Sequence, residues 1–298
     1  SGNNILAFAA SNGVAWTPAK TLTITGWTNS CTGAKVFVGN SNTGLTAVQL
    51  AQITFQGYAP GASISAIGEL IPGNVVLTAT GGTLMANYAT MKAAFDAINL
   101  GTHTGVIAIS VLNDTNEGTA TAALNNNLAV TSVSIQPAGC GPRTISGNTT
   151  AGLPLMDFNG ADNVTVDGLN TNGNSLTITN TTVAATAGTC TIRFQTDATG
   201  NTITNCTVLG SATMGSGTAG GNIWFGAGSA LTGNDNNTIS NCNIGPAGVN
   251  LPSKAIYFSG NAPFFNDIIS INNNNIYDFF SATVASTGID LGTIGSSN

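Results

Sequence analysis

Two short motifs recur in the same order four times along this chain, and such recurrence restricts the fold more tightly than composition does. One series is Asn163-Val-Thr-Val-Asp-Gly-Leu169, Asn201-Thr-Ile-Thr-Asn-Cys-Thr-Val208, Asn237-Thr-Ile-Ser-Asn-Cys-Asn-Ile244 and Ile269-Ser-Ile-Asn-Asn-Asn-Asn-Ile276. Val166, Ile203, Ile239 and Ile271 share one position in it. Gly168, Asn205, Asn241 and Asn273 share the turn two residues on, and Leu169, Cys206, Cys242 and Asn274 follow. A second series precedes each copy: Leu155-Met-Asp-Phe158, Cys190-Thr-Ile-Arg-Phe194, Asn222-Ile-Trp-Phe225 and Ala255-Ile-Tyr-Phe258. Copies are spaced by roughly 32 to 37 residues, so loops of unequal length must be accommodated.

An apolar residue pointing inward, a small polar residue turning the chain and a second inward residue make one rung of a parallel solenoid. Asn suits the corner because it tolerates left-handed backbone angles and bonds locally. Stacked rungs place Asn205, Asn241 and Asn273 over one another, where their amides can bond along the stack, and line up Phe158, Phe194, Phe225 and Phe258 as an aromatic ladder. The fold class expected is all-β: a right-handed parallel β-helix (solenoid) with an N-terminal capping helix and a small N-terminal β domain.

The capping helix is expected near 88–98. Met91, Ala94, Phe95 and Ile98 make one apolar face in Asn87-Tyr-Ala-Thr-Met-Lys-Ala-Ala-Phe-Asp-Ala-Ile98, with Thr90 as N-cap. Such a helix can cover the open edges of a strand stack. Before a break at Gly81-Gly82, residues 1–80 read as a small β-rich, sandwich-like domain. Its strands are expected at Thr21–Thr25, Lys35–Val38, Ile53–Phe55, Ile64–Ile67 and Val75–Thr78, and Thr46 with Gln49 forms a capping box. Residues 81–298 form the β-helix. The start at Ser1 without Met, and the stretch 294–298 without a closing element, lead us to expect a processed product or a fragment whose solenoid continues further.

Charge excludes several functions. Six Lys and Arg face twelve Asp and Glu, with one His, in 298 residues. The cations Lys20, Lys35, Lys92, Arg143, Arg193 and Lys254 are scattered singly, whereas phosphate binding needs clusters. Nucleic acid is therefore not expected as a partner. No stretch reads as a membrane span, because Asn, Thr, Ser and Gly interrupt every apolar run. The cysteines Cys31, Cys140, Cys190, Cys206 and Cys242 contain no CxxC pair. A disulfide such as Cys140–Cys190 and plain buried thiols are both open readings.

The chain resembles large secreted β-helix repeat proteins of Bacteroidota exported by the type IX system. The resemblance is carried by Leu22-Thr-Ile-Thr-Gly-Trp27, Gly44-Leu-Thr-Ala-Val-Gln-Leu-Ala-Gln-Ile53, Gly68-Glu-Leu-Ile-Pro72, Ala94-Phe-Asp-Ala-Ile-Asn99 with Gly101-Thr-His-Thr-Gly105, and Asn159-Gly-Ala-Asp-Asn-Val-Thr-Val-Asp-Gly168. It implies a secreted or cell-surface location and adhesin-like roles, and it carries over no catalytic residues. The C-terminal sorting domain usual in that family is not in this sequence.

Candidate chemistry is sparse. Asp157, Asp162 and Asp167 lie close in sequence, as a glycosidase pair or a Ca²⁺ site would require, but Asp162 and Asp167 fall in Gly- or Asn-rich turns where Asp caps backbone amides. Ca²⁺ is thus the one cofactor considered, and the spacing fits no EF-hand or nonapeptide loop. A lyase would need a base and cations, and Arg143 and Arg193 are the only arginines. His103 sits in a Gly-flanked turn with no second His, and Glu69 and Glu117 read as surface or turn residues. Of Trp16, Trp27 and Trp224, Trp27 reads as core. Trp224 precedes a ladder Phe and so should point outward, which makes it the candidate for stacking on sugar rings. Threonine rows such as Thr177-Ile-Thr179 suit an ice-binding face and ordinary strands alike. The function expected is a structural or adhesive surface module, with surface glycans or other copies of itself as partners and no membrane insertion. The alternative is a polysaccharide-binding or polysaccharide-degrading protein on a pectate-lyase-like scaffold.

Overall fold

Inward and outward residues alternate in strands such as Ser175–Asn180, where Leu176 and Ile178 are buried and their neighbours are not. That alternation is the period of a pleated strand with one buried face. The computed structural model describes residues 5–30, 32–139, 141–215, 217–228 and 232–292. Cys31, Cys140 and the stretch 294–298 lie outside the described residues.

The chain opens with β1 (Ile5–Phe8), β2 (Leu22–Ile24), β3 (Lys35–Val38), helix α1 (Ala47–Ala51), β4 (Ile53–Phe55), β5 (Ser63–Ile64) and β6 (Leu70–Ile71). Next come β7 (Val75–Gly82), β8 (Met85–Tyr88), helix α2 (Met91–Asn99) and β9 (His103–Val111). From there each coil supplies three strands. The first has β10 (Thr115–Asn116), β11 (Ala122–Asn125) and β12 (Val130–Pro137), and the second β13 (Pro142–Gly147), β14 (Pro154–Asn159) and β15 (Val164–Asp167). The third has β16 (Ser175–Asn180), β17 (Cys190–Gln195) and β18 (Thr202–Thr204), and the fourth β19 (Cys206–Gly210), β20 (Gly221–Phe225) and β21 (Thr238–Ser240). Then follow β22 (Asn243–Pro246), β23 (Lys254–Phe258), β24 (Ser270–Asn272), β25 (Asn275–Ile276) and β26 (Thr287–Asp290).

These strands stack into three faces of a β-solenoid. Face one is β10-β13-β16-β19-β22-β25, face two is β11-β14-β17-β20-β23-β26, and face three runs from β9 through β12, β15, β18 and β21 to β24. Pairing between successive coils is parallel throughout. Val166, Ile203, Ile239 and Ile271 stand in register on face three, as their spacing predicts. On face two Phe158, Phe194, Phe225 and Phe258 are in register and buried, with successive ring centroids 5.2, 4.7 and 4.6 Å apart.

The corners depart from expectation in two ways. Asn205, Asn241 and Asn273 do adopt left-handed angles, φ +55°, +55° and +54°. Their amides do not form the ladder, however, and Asn205 Nδ2 bonds Asp167 Oδ1 instead. The amide ladder runs through the fully buried Asn201 and Asn237. Asn201 Oδ1 accepts from Val164 N, and Asn237 Oδ1 accepts from Asn201 N, both at 2.8 Å. Asn234 and Asn266 form a second such column. Leu169 is also misplaced by the sequence alignment. A loop at 169–174 intervenes, Leu169 and Asn170 take the left-handed angles there, and Leu176 pairs with Cys206.

The N-terminal end of the solenoid is closed by two devices. Antiparallel β7 and β8 terminate face three at β9. Helix α2 covers the edge of β11: Asn99 Nδ2 donates to Ala123 O while its Oδ1 accepts from Asn125 N, which satisfies an otherwise open strand edge. Thr90 is the N-cap, and Met91, Ala94, Phe95 and Ile98 are buried. The helix begins later than expected because Asn87 and Tyr88 belong to β8. Glu117 is no surface residue: it is buried, and its carboxylate accepts from Met91 N and Lys92 N at 3.0 and 2.9 Å.

Among the described strands before β7, only β5 and β6 pair antiparallel. The pairs β1–β3 and β2–β4 are parallel, with partners about 30 residues apart, so this unit is itself a rudimentary pair of coils. The expected capping box at Thr46 and Gln49 is present. Gly81-Gly82 is not a break but the end of β7, paired with Thr104 and His103. Strand β7 serves both cores, since Val75 and Leu77 pack into the solenoid and Val76 into the N-terminal unit. His103 accordingly lies in a strand rather than a turn. It is fully buried, with Nε2 2.6 Å from Tyr88 Oη and Nδ1 donating to Thr83 O.

Candidate functional site

Face two carries the densest outward chemistry. Asp157, Arg193, Trp224, Tyr257 and Asp290 occupy one row in register across five coils. The first four alternate with the ladder Phe residues, so the pleat that buries the Phe turns them away from the core, although Asp157 and Tyr257 are themselves covered. Trp224 does point outward, as expected, and is half-buried.

The row is closed upon itself. Asp157 takes a bidentate bond from Arg193, Nε to Oδ1 at 2.9 Å and Nη2 to Oδ2 at 2.7 Å. The Arg193 guanidinium also sits 5.4 Å from the centre of the Trp224 ring, and Trp224 Nε1 donates to Ser259 Oγ at 2.7 Å. Further along, the wholly buried Lys254 ammonium lies 3.9 Å from the Tyr257 ring centre and 3.3 Å from Asp290 Oδ2. It donates to Thr218 O at 3.0 Å, which ties the loop between β19 and β20 down over the row. Met214 of that loop is fully buried.

The three candidate aspartates occupy separate surroundings. Asp157 is bound to Arg193 on face two. Asp162 stands at a corner, where its Oδ1 accepts from Thr199 N, and partial burial with Asp197 nearby pushes its carboxyl above the usual range. Asp167 ends β15 and accepts from Leu169 N and Asn205 Nδ2. Among the described residues no three His, Cys, Asp or Glu gather as a metal-binding group. The threonine ranks are short: Thr144, Thr177 and Thr207 align on face one before Asn243 interrupts them.

The thiols of Cys190, Cys206 and Cys242 are free and buried, while Cys140, the other half of the disulfide considered from the sequence, lies outside the described residues. Burial raises all three thiols, and Cys242 is pushed up to about 11. Thiols held protonated in this way are poor nucleophiles and poor metal ligands.

Sequence reasoning missed a cleft where the N-terminal unit meets the solenoid. It has a volume of about 320 Å³ and is lined by Trp27, Lys35, Glu69, Leu112, Asp114 and Arg143 among others. Lys35 Nζ lies 2.6 Å from Glu69 Oε1. Arg143 is fixed by its bonds to Ala138 O and Pro142 O, both 3.1 Å, and Asp114 Oδ1 accepts from Thr144 N at 2.8 Å. Burial lowers the Arg143 guanidinium from its usual value, while Asp114 and Glu69 oppose that shift. The four charged residues come from distant points of the chain, so no local motif announces them. The one available signal was the scarcity of charge elsewhere. Trp16 lines a second cleft of about 420 Å³, walled by apolar side chains such as Phe8, Leu22, Val36 and Ile53.

No described helix is long and apolar enough to cross a membrane. Comparisons with protein-family models, with curated proteins and with solved structures gave no match.

Proposed function

We propose that this chain is a structural and adhesive β-solenoid module that works outside the cell, within a larger surface protein or extracellular filament. The carrying observation is the unbroken register of buried side chains from coil to coil, above all the Phe158–Phe258 ladder and the Asn201–Asn237 column. A stack in which each coil satisfies its neighbour's backbone needs no ligand to hold its shape and offers few loose segments to a protease. The near absence of charge suits such a rod, since like-charge repulsion between stacked coils is small.

Polysaccharide degradation has less support. Asp157 is committed to Arg193, and Asp162 and Asp167 each bond backbone amides in different corners. Polysaccharide binding keeps a place through the outward Trp224. A hydrolysis and lyase screen against neutral and acidic polysaccharides, run beside limited proteolysis of the folded protein, separates the readings. The scaffold reading expects no new reducing ends or unsaturated products and prolonged survival of the solenoid. Turnover of any polysaccharide would overturn it.

A further inference from the structure

We propose that the cleft between the N-terminal unit and the solenoid is a binding site for one neutral sugar residue of a glycan. This goes beyond the scaffold reading and does not depend on it.

The case begins with charge. A chain of six cations and twelve anions brings two of each, Lys35, Arg143, Glu69 and Asp114, to one cleft. Equal numbers of each sign favour neither an anion nor a cation. They suit a hydroxyl, the group that both donates and accepts. Carboxylates and a guanidinium are flat, two-pronged groups that can each engage a pair of neighbouring hydroxyls.

The second observation is an unanswered donor. Trp27 is 7% exposed, and its Nε1–H has no hydrogen-bond partner among the described residues. A buried donor of this kind is costly unless an acceptor arrives. The indole is held edge-on against Phe55 and Tyr58, at 5.4 and 5.3 Å between ring centres, so its orientation is set before any ligand binds. The polar groups are likewise held from behind: Arg143 by two carbonyls, Asp114 by Thr144 N, and Lys35 by Glu69. Buried Leu112 adds an apolar surface for the C–H face of a ring. A volume of about 320 Å³ lies at the small end of ligand pockets, which fits a single ring rather than an extended chain.

The test is saturation-transfer NMR and tryptophan-fluorescence titration of the intact protein with the methyl glycosides of glucose, galactose, mannose and N-acetylglucosamine. Glucuronate, glycine and methylammonium serve as charged probes. We expect at least one glycoside to bind, weakened about tenfold or more both by Trp27→Phe, which keeps the ring and removes the donor, and by Asp114→Asn. Asp114→Asn retains the acceptor for Thr144 N, so its thermal midpoint should match the parent and its result decides the matter if Trp27→Phe disturbs packing. Three results overturn the proposal: no glycoside binding up to about 50 mM, binding indifferent to Asp114→Asn, or binding of the charged probes alone.

Discussion

The rings of Phe225 and Phe258 lie 4.6 Å apart with their planes within 4° of parallel, directly across the pairing of β20 and β23. That spacing is the distance between neighbouring strands, so the ring stack and the hydrogen-bond ladder reinforce one another. Phe225 is flanked on its other side by Phe194 at 4.7 Å and is fully buried. Phe225→Ala should therefore cost about 3–5 kcal/mol, and Phe225→Leu clearly less. Denaturant midpoints of the two variants check this, and equal midpoints for Phe225→Ala and parent would contradict it.

Asn237 and Asn205 carry the same side chain at different tasks. Asn237 Oδ1 accepts from Asn201 N, and its Nδ2 donates to Ala198 O and Asn234 O, all inside the core. Asn237→Ala strips partners from these buried backbone groups and should cost at least about 2 kcal/mol. Asn205 is held at φ +55°, which glycine adopts freely. Asn205→Gly keeps the turn and loses only the bond to Asp167, so it should cost about 1 kcal/mol or less, while Asn205→Val, which adds the left-handed strain, should cost about 1–2 kcal/mol more. Chemical denaturation of the three variants gives the ranking.

Asp157 and Arg193 form a bidentate pair with side chains only 5% and 16% exposed. Removing one partner strands the other: Asp157→Ala should cost about 3 kcal/mol or more, whereas Asp157→Leu combined with Arg193→Met should recover much of that loss. A double-mutant cycle read by thermal unfolding measures the coupling. Additive single effects would show that the pair is not a unit.

Burial raises the thiols of Cys190, Cys206 and Cys242 above the ordinary thiol value of 9.0. A raised folded value means that the stabilisation is complete below pH 9 and is lost as pH climbs, because only the unfolded chain ionises there. For Cys242 the window runs from 9.0 to about 11. Stability should fall through it by about 1.4 kcal/mol per pH unit for each thiol. Cys242→Ala should flatten that slope. At pH 8 these three thiols should resist an aromatic disulfide reagent until the protein is unfolded.

How much of this was legible in the sequence depended on repetition. The Phe ladder and the Val166–Ile271 column could be read because four copies of each fall at matched positions, and register follows from matching. Leu169 was misread because an inserted loop moves its role to Leu176, and a single coil cannot reveal its own insertion. The amide ladder was assigned to the conspicuous corner Asn residues, yet Asn201 and Asn237 carry it. Only burial separates the two sets. His103 looked like a turn residue between glycines, but Gly82 pairs with it across β7 and β9. The N-terminal unit has only two coils, too few for a repeat to stand out. The charged cleft was invisible because Lys35, Glu69, Asp114 and Arg143 meet only through tertiary contact.

The account stands on coil-upon-coil register, and a distance across several coils tests it most directly. Ser134, Thr165, Thr202, Thr238 and Ser270 are successive partners on face three. Nitroxide labels at Ser134 and Ser270, attached through a ketone-bearing amino acid so that the cysteines stay untouched, span four strand spacings. Double electron–electron resonance should return a narrow distribution near about 19 Å, widened by the label linkers. A distribution centred beyond about 35 Å, far more than four strand spacings, would contradict the solenoid and everything derived from it.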